Sequence, residues 1–294
     1  MISESGQRQA SPRCLIQAHA VGDGRVALLM PGARRDETKM NQYKKIGIVG
    51  GVSWISTLEY YQAICEMSHR CKRGHKQDGP APIPEMTIES LNINKSISLR
   101  GRPADDDSWH AFEAYFRKAL NRLEASDVDF AIIASNTPHN RFNQITEGVG
   151  IPVLNIFEEV AKTCVKNSIV KALILGTEPT MSSQVFPNVL RKHGISGILP
   201  NTGNDQDKVI SLIGLLQAEK SNKGAEEIQS LADKYLRVTS DEPSAVCLSC
   251  TELSLAFPEH LNVPIFKIDG ITYMNTILIH AKAAFDYAKL VNIA

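Results

Sequence analysis

The chain has 294 residues, 43% of them hydrophobic and 22% charged, an ordinary globular balance that excludes a disordered or low-complexity chain. Its 32 basic and 32 acidic side chains cancel to a formal net charge of zero, which removes the electrostatic warrant for a nucleic-acid or anionic-membrane partner. No run approaches the roughly 18 uncharged apolar residues of a spanning helix, and the length suits two domains of about 100 to 150 residues each.

Residues 1–39 mix Ser, Gly, Arg and Gln with short apolar bursts such as residues 26–30. They carry no continuous apolar region followed by a small-residue cleavage pattern. The expectation is a flexible extension over residues 1–43 and a cytoplasmic protein.

From residue 44 the pattern alternates strand, turn and helix. Residues 45–49 read as a buried strand punctuated by Gly50-Gly51, and residues 57–70 have helical apolar spacing. A second strand is expected at 85–89, an amphipathic helix at 109–125 and a third strand at 129–134. The stripe Phe112, Tyr115, Phe116 on that helix reads as core. After Gly150-Ile151-Pro152 the pattern restarts with 153–156, a helix at 157–167 and a strand at 171–175 ending in Gly176-Thr177. Helices follow at 181–193, 209–218 and 225–238, with strands at 197–199, 245–249 and 265–269 and a last helix at 273–290. Such alternation predicts an α/β fold with parallel sheets, whose ligands sit at the carboxyl ends of strands.

The six cysteines do not form a disulfide framework, and Cys247-Leu248-Ser249-Cys250 has no second pair to complete a zinc site. No metal is expected, and Cys65, Cys71, Cys164 and Cys247 are assigned to packing or surface. Two strand-end loops echo each other: Ala134-Ser135-Asn136-Thr137-Pro138-His139 and Ser249-Cys250-Thr251-Glu252-Leu253. Each sets a small nucleophilic residue after an apolar strand, as two related lobes facing across a cleft would.

Together with the opening Gly50-Gly51-Val52-Ser53-Trp54, then Ser56-Thr57 and Tyr60-Tyr61, these loops resemble the aspartate/glutamate racemase superfamily, in its branch of cofactor-independent amino-acid racemases. Asn136-Thr137-Pro138-His139 is similar to that family's CNTxH loop, Cys250-Thr251-Glu252-Leu253 to its GCTEL loop, and Leu175-Gly176-Thr177 with Thr180-Met181 to its LGTxxTM turn. The resemblance covers about residues 44–294. It implies two pseudo-twofold-related α/β lobes, residues 44–148 plus 270–294 and residues 149–269, with the active site between them and a homodimer as the assembly.

What it implies chemically is PLP-independent racemisation, no cofactor, and two cysteines on opposite faces of the substrate's α-carbon. One thiolate removes the α-proton and the other thiol returns one. A thiol near pKa 8.5 can be tuned for this work and a hydroxyl cannot. Here the second cysteine is Cys250, but Ser135 stands where the first belongs, which implies one-sided chemistry. Ser53, Trp54, Asn136, Thr137, Thr177, Thr251 and Glu252 are the expected substrate-binding residues. Lys208 is a candidate contact for a substrate's side-chain carboxylate, Glu178 disfavours one, and His139 reads as a surface or helix-terminal histidine. The substrate is an amino acid such as aspartate or glutamate, or a related one. A single-cysteine decarboxylase of the arylmalonate type and a non-catalytic carboxylate-binding module remain as alternatives.

Overall fold

The computed structural model describes residues 19–20, 26–27, 43–73, 81–103, 105–218, 224–237 and 242–289. Nearly all of the expected extension over residues 1–43 therefore lies outside the described residues. Within Met1–Met40, a unit of its own, strand β1 (His19–Ala20) pairs antiparallel with β2 (Val26–Ala27).

In Asn41–Ala294 the chain opens with β3 (Ile46–Gly50), α1 (Trp54–Arg73), β4 (Met86–Ser90) and a short α2 (Ile93–Ser98). Next come α3 (His110–Glu124), β5 (Phe130–Ile133), α4 (Phe142–Thr146) and β6 (Val153–Leu154). The four strands make an all-parallel sheet in the order β4-β3-β5-β6. Its central strands β3 and β5 are apolar and buried because both faces are covered, while the edge strand β4 carries Thr87, Glu89 and Ser90. Ile46, Ile48, Phe130 and Ile132 face Tyr60 and Ile64 of α1, while Val49, Ala131 and Ile133 face Phe112, Phe116 and Leu120 of α3. This is the period of two read on a doubly covered strand.

The chain then supplies α5 (Ile156–Lys166), β7 (Lys171–Gly176), α6 (Glu178–Met181), α7 (Val185–Lys192) and β8 (Ser196–Ile198). After α8 (Asn204–Gln217) and α9 (Gly224–Ala232) come β9 (Ser244–Ser249), α10 (Thr251–Ser254), β10 (Ile265–Ile268), β11 (Ile271–Asn275) and α11 (Thr276–Ala288). The second sheet runs β10-β11-β9-β7-β8, parallel except for the β10–β11 pair. Leu173, Leu175, Val246 and Leu248 pack under α8 and α9, and Ala172, Ile174, Ala245 and Cys247 under α5 and α7.

The expected α/β class with mainly parallel sheets holds, with local differences. Val153–Leu154 belongs to the first sheet, and Ile271–Asn275 to the second. The chain therefore crosses between sheets at Asn155 and again at Asn275, about six residues beyond each sequence boundary. Both asparagines cap the helix that follows: Asn155 Oδ1 accepts from Phe157 N–H, and Asn275 Oδ1 from Ile277 and Leu278 N–H. The helix expected at 181–193 is two helices, α6 and α7, broken at Ser182–Gln184. From the aromatic stripe, Phe112 and Phe116 are core and Tyr115 is half-buried, its hydroxyl accepting from Asn92 N–H.

Candidate active site

The carboxyl ends of β3 and β5 from one sheet face those of β7 and β9 from the other across a cavity of about 190 Å³. All nine sequence-predicted residues line it: Ser53, Trp54, Ser135, Asn136, Thr137, Thr177, Cys250, Thr251 and Glu252. Val52, Ile55, Ile93, Ile213 and Ile277 add an apolar wall, with Arg100 and Gln217.

The loop after β3 turns through Gly51 at φ 78°, where a Cβ would lie 2.2 Å from the Leu91 carbonyl oxygen. Only glycine fits. Ser53 then caps α1 through its backbone, its carbonyl accepting from Thr57 N–H and from the Thr57 hydroxyl at 2.9 Å. The Ser56 hydroxyl lies 2.9 Å from the Ala134 carbonyl oxygen and ties this turn to the Ser135 loop. Trp54 is 70% exposed, at the rim of the cavity.

In the loop after β5, Asn136 Nδ2 donates to Thr276 Oγ1 at 3.1 Å, and Thr276 Oγ1 lies 3.1 Å from the Leu248 carbonyl oxygen. Asn136 thereby joins the first sheet's loop to the second sheet. Thr137 and Thr177 meet hydroxyl to hydroxyl at 2.9 Å, a second cross-sheet bond. Arg141, at the end of the same 3-10 turn, grips buried Glu113 at 2.6–2.7 Å and Asp106 at 2.5 Å. Breaking a buried pair of this kind typically costs about 3–5 kcal/mol, so the loop is held firmly. Among the described residues, the half-buried Ser135 side chain has no hydrogen-bond partner.

Cys250 stands at the mouth of α10 in an extended conformation (φ −147°, ψ 138°), so its side chain enters the cavity while Cys247 faces the core under α5 and α7. Its thiol donates to Glu252 Oε2 at 2.8 Å. Burial pushes the Cys250 thiol well up, and the Glu252 carboxylate adds to this by charge and by accepting the thiol proton. The Glu252 backbone N–H and the Arg100 guanidinium pull the other way. Burial and the neighbouring carboxylate thus both favour the protonated thiol, with Glu252 Oε2 as its acceptor.

Sequence reasoning missed Arg100. It lies just after α2, half-buried, with its Nε inaccessible and without a partner. Burial lowers its pKa, and the charges of Cys250 and Glu178 raise it. A guanidinium with a free donor on the wall of a cavity has the chemistry to receive a carboxylate. Nothing local in Ser98-Leu99-Arg100-Gly101-Arg102 distinguishes it from Arg102, which pairs with Asp105 in solvent. Lys208 lies elsewhere, on a separate groove with Glu227 and Ser230 and 3.9 Å from Asp205, so it does not reach this cavity. The place expected of it is taken by Ile213 and Gln217, further along α8. His139, read as a surface residue, is fully buried. Among the described residues no three His, Cys, Asp or Glu side chains are grouped to hold a metal ion, and no helix is long and apolar enough to cross a membrane.

Comparison with known proteins follows this geometry. The sequence profile of the Asp/Glu/Hydantoin racemase family matches residues 49–284, from β3 into α11. The chain belongs to this family. The family is described by its racemases, which places the chain among the isomerases. A broad specificity amino-acid racemase of Bacillus subtilis is 27% identical over 225 residues, 76% of this chain and 92% of the relative. The crystal structure of an aspartate racemase homologue from Pyrococcus horikoshii OT3 superposes with a TM-score of 0.66 at 27% identity, covering 83% of this chain and 99% of that one. Picrophilus torridus aspartate racemase shares the fold at a TM-score of 0.59 and 20% identity, over 84% of this chain and 100% of that one.

Proposed function

We propose that this racemase acts on a free α-amino acid without pyridoxal phosphate, and that it works from one side. The observation that carries the reading is the asymmetry of the two facing loops: Cys250 is hydrogen-bonded to Glu252, while Ser135 has no partner among the described residues. Glu252 takes the thiol proton, the thiolate removes the α-proton, and the carbanion spreads into the substrate carboxylate held by Arg100. The cation and the loop hydroxyls stabilise that charge where it develops. Ser135, lacking a base, serves as a proton donor or holds a water that is one.

Charge also supports a substrate class. Arg100 is the one cationic side chain among the described lining residues, and Ile93, Ile213, Ile277 and Gln217 are uncharged. One cation satisfies one carboxylate, and a second would enter an apolar wall unpaired at considerable cost. Together with exposed Glu178 beside Arg100, this favours a neutral side chain over aspartate or glutamate by about tenfold or more in kcat/KM, about 1.4 kcal/mol.

The test is α-proton exchange followed by NMR in D2O with L and D forms of neutral and acidic amino acids. Exchange from one enantiomer of neutral amino acids is expected; no exchange from any amino acid overturns the reading. Arg100→Met is expected to raise KM by about 10- to 100-fold, the worth of a charge-assisted hydrogen bond, and a KM left unchanged would remove Arg100 from the carboxylate site.

A further inference from the structure

Thr276, the first residue of α11, is fully buried and does not line the cavity, although its neighbour Ile277 and its partner Asn136 do. Its hydroxyl nevertheless joins the two loops that carry Ser135 and Cys250. It lies 3.1 Å from Asn136 Nδ2 and 3.2 Å from Asn136 Oδ1, beside Ser135, and 3.1 Å from the Leu248 carbonyl oxygen of β9, just ahead of Cys250. A hydroxyl has one hydrogen to give and two lone pairs to receive. Accepting from Asn136 and donating to Leu248 therefore makes one chain of bonds from the Ser135 loop to β9.

Local sequence fixes where this hydroxyl sits. Asn275 pairs with Leu248 in the sheet register and caps α11 with its side chain, so the helix starts against the end of β9. Packing alone does not ask for a hydroxyl here. Valine has nearly the same shape, and burying polar groups costs energy that their hydrogen bonds largely serve to recover. What a satisfied polar chain adds is one fixed geometry. The other contact of this kind, Thr137 to Thr177 at 2.9 Å, is made by residues that line the cavity themselves.

We infer that Thr276 is a positioning residue whose hydroxyl holds Asn136, and with it the neighbouring Ser135, in register with Cys250 across the substrate. The inference rests on the one-sided racemase reading and adds to it the device that aligns its weaker face. Two fates of the carbanion separate the faces. The Cα–H bond breaks, the proton bonds to Cys250 Sγ, and the electron pair stays on the substrate. In D2O the thiol exchanges, and a deuteron returned from Cys250 gives labelled substrate of unchanged configuration. A deuteron delivered instead by water on the Ser135 side gives the inverted product. Cys250 then loses its proton to water, which balances the step. Thr276 serves this second fate, in which a misplacement of about 1 Å can cost on the order of 10²-fold.

Thr276→Val deletes the hydroxyl and keeps the shape, and Thr276→Ser keeps the hydroxyl. Exchange with retention is followed by NMR in D2O, and inversion by chiral chromatography of the same samples. The ratio of inversion to retained exchange is expected to fall about tenfold or more in Thr276→Val and to return in Thr276→Ser. Both products come from the same molecules, so a loss of folded enzyme does not move the ratio. An unchanged ratio, or a fall that Thr276→Ser fails to restore, overturns the inference. Amide hydrogen exchange by mass spectrometry, without substrate, is expected to run about tenfold faster over residues 135–141 in Thr276→Val, with α3 as the reference. Equal protection there overturns the hold on the loop. If the unmodified enzyme exchanges no amino acid, the proposed function falls and takes this role of Thr276 with it. An active enzyme whose ratio ignores Thr276→Val removes Thr276 alone.

Discussion

Cys250→Ala is expected to lower α-proton exchange by at least about 10³-fold, while Ser135→Cys is expected to raise exchange from the opposite enantiomer by about 10²-fold or more. The first figure follows from removing the base that the proposed mechanism assigns to the α-proton, a role worth about 10² to 10⁴ in rate before the thiolate's own reactivity is added. The second follows from pKa. A thiol ionises near 8.5, and a serine hydroxyl lies far above that range with nothing here to lower it. Ser135 has no hydrogen-bond partner among the described residues, yet its loop is fixed by the Asn136–Thr276 and Arg141–Glu113 contacts. A cysteine there would enter a rigid site facing the cavity without reshaping it. Both variants are read in D2O by NMR, starting separately from each pure enantiomer. Equal exchange of both enantiomers by the unmodified enzyme, unchanged in Ser135→Cys, would show that the serine side already works and would end the one-sided mechanism.

The strand-end loops were legible because they are written in short runs of sequence. An apolar strand followed by Ser135-Asn136-Thr137 or Cys250-Thr251-Glu252 announces both its position in an α/β sheet and its chemistry, and the fold brings these runs to one cavity. Residues that reach the site from elsewhere carry no such mark. Arg100 and Ile213 line the cavity only because of where α2 ends and where α8 lies, and that is decided by packing. Glu59 looks like any acid on a helix until its carboxyl oxygen is seen to be buried without a partner. Strand β11 is different, because its signal was present. Asp269-Gly270 sits between two apolar runs, the strongest short hairpin cue, and both residues have positive φ, 48° and 83°. The helical spacing of residues 273–290 competed with that cue, and the cap at Asn275 is where the helix starts.

A second large effect concerns acid stability. His139 and His280 are both fully buried where the two sheets meet, with ring centroids 5.5 Å apart. His139 Nδ1 accepts from Ile156 N–H at 3.4 Å and its Nε2 faces the Ile133 carbonyl oxygen at 3.3 Å. His280 Nε2 lies 3.1 Å from the Leu154 carbonyl oxygen, and its Nδ1 lies 2.8 Å from the Tyr60 hydroxyl. Each ring thus has one donor and one acceptor position filled, which fits the neutral form. Burial lowers His139 from 6.5 to about 4 and His280 well below its ordinary value, with the His139 charge adding to the latter.

The unfolded chain therefore takes up these protons first. Their contribution to stability is complete above about pH 6.5 and is lost as pH falls toward about 4, on the order of 3 kcal/mol for His139 alone. Glu59 acts in the opposite sense, because its pKa rises on folding from 4.5 to about 7 and its protonation stabilises the fold as pH falls through that window. The histidine effect is therefore read on the Glu59→Gln background, by urea unfolding at pH 7.5, 6 and 5. There stability is expected to drop by several kcal/mol across the series, and His280→Gln is expected to flatten the drop while lowering stability at pH 7.5. A drop of the same size with and without His280 would mean that His280 adds nothing to acid lability. A drop that persists when His139 is also replaced by Gln would mean that the histidine pair does not set the pH limit of the junction between the sheets.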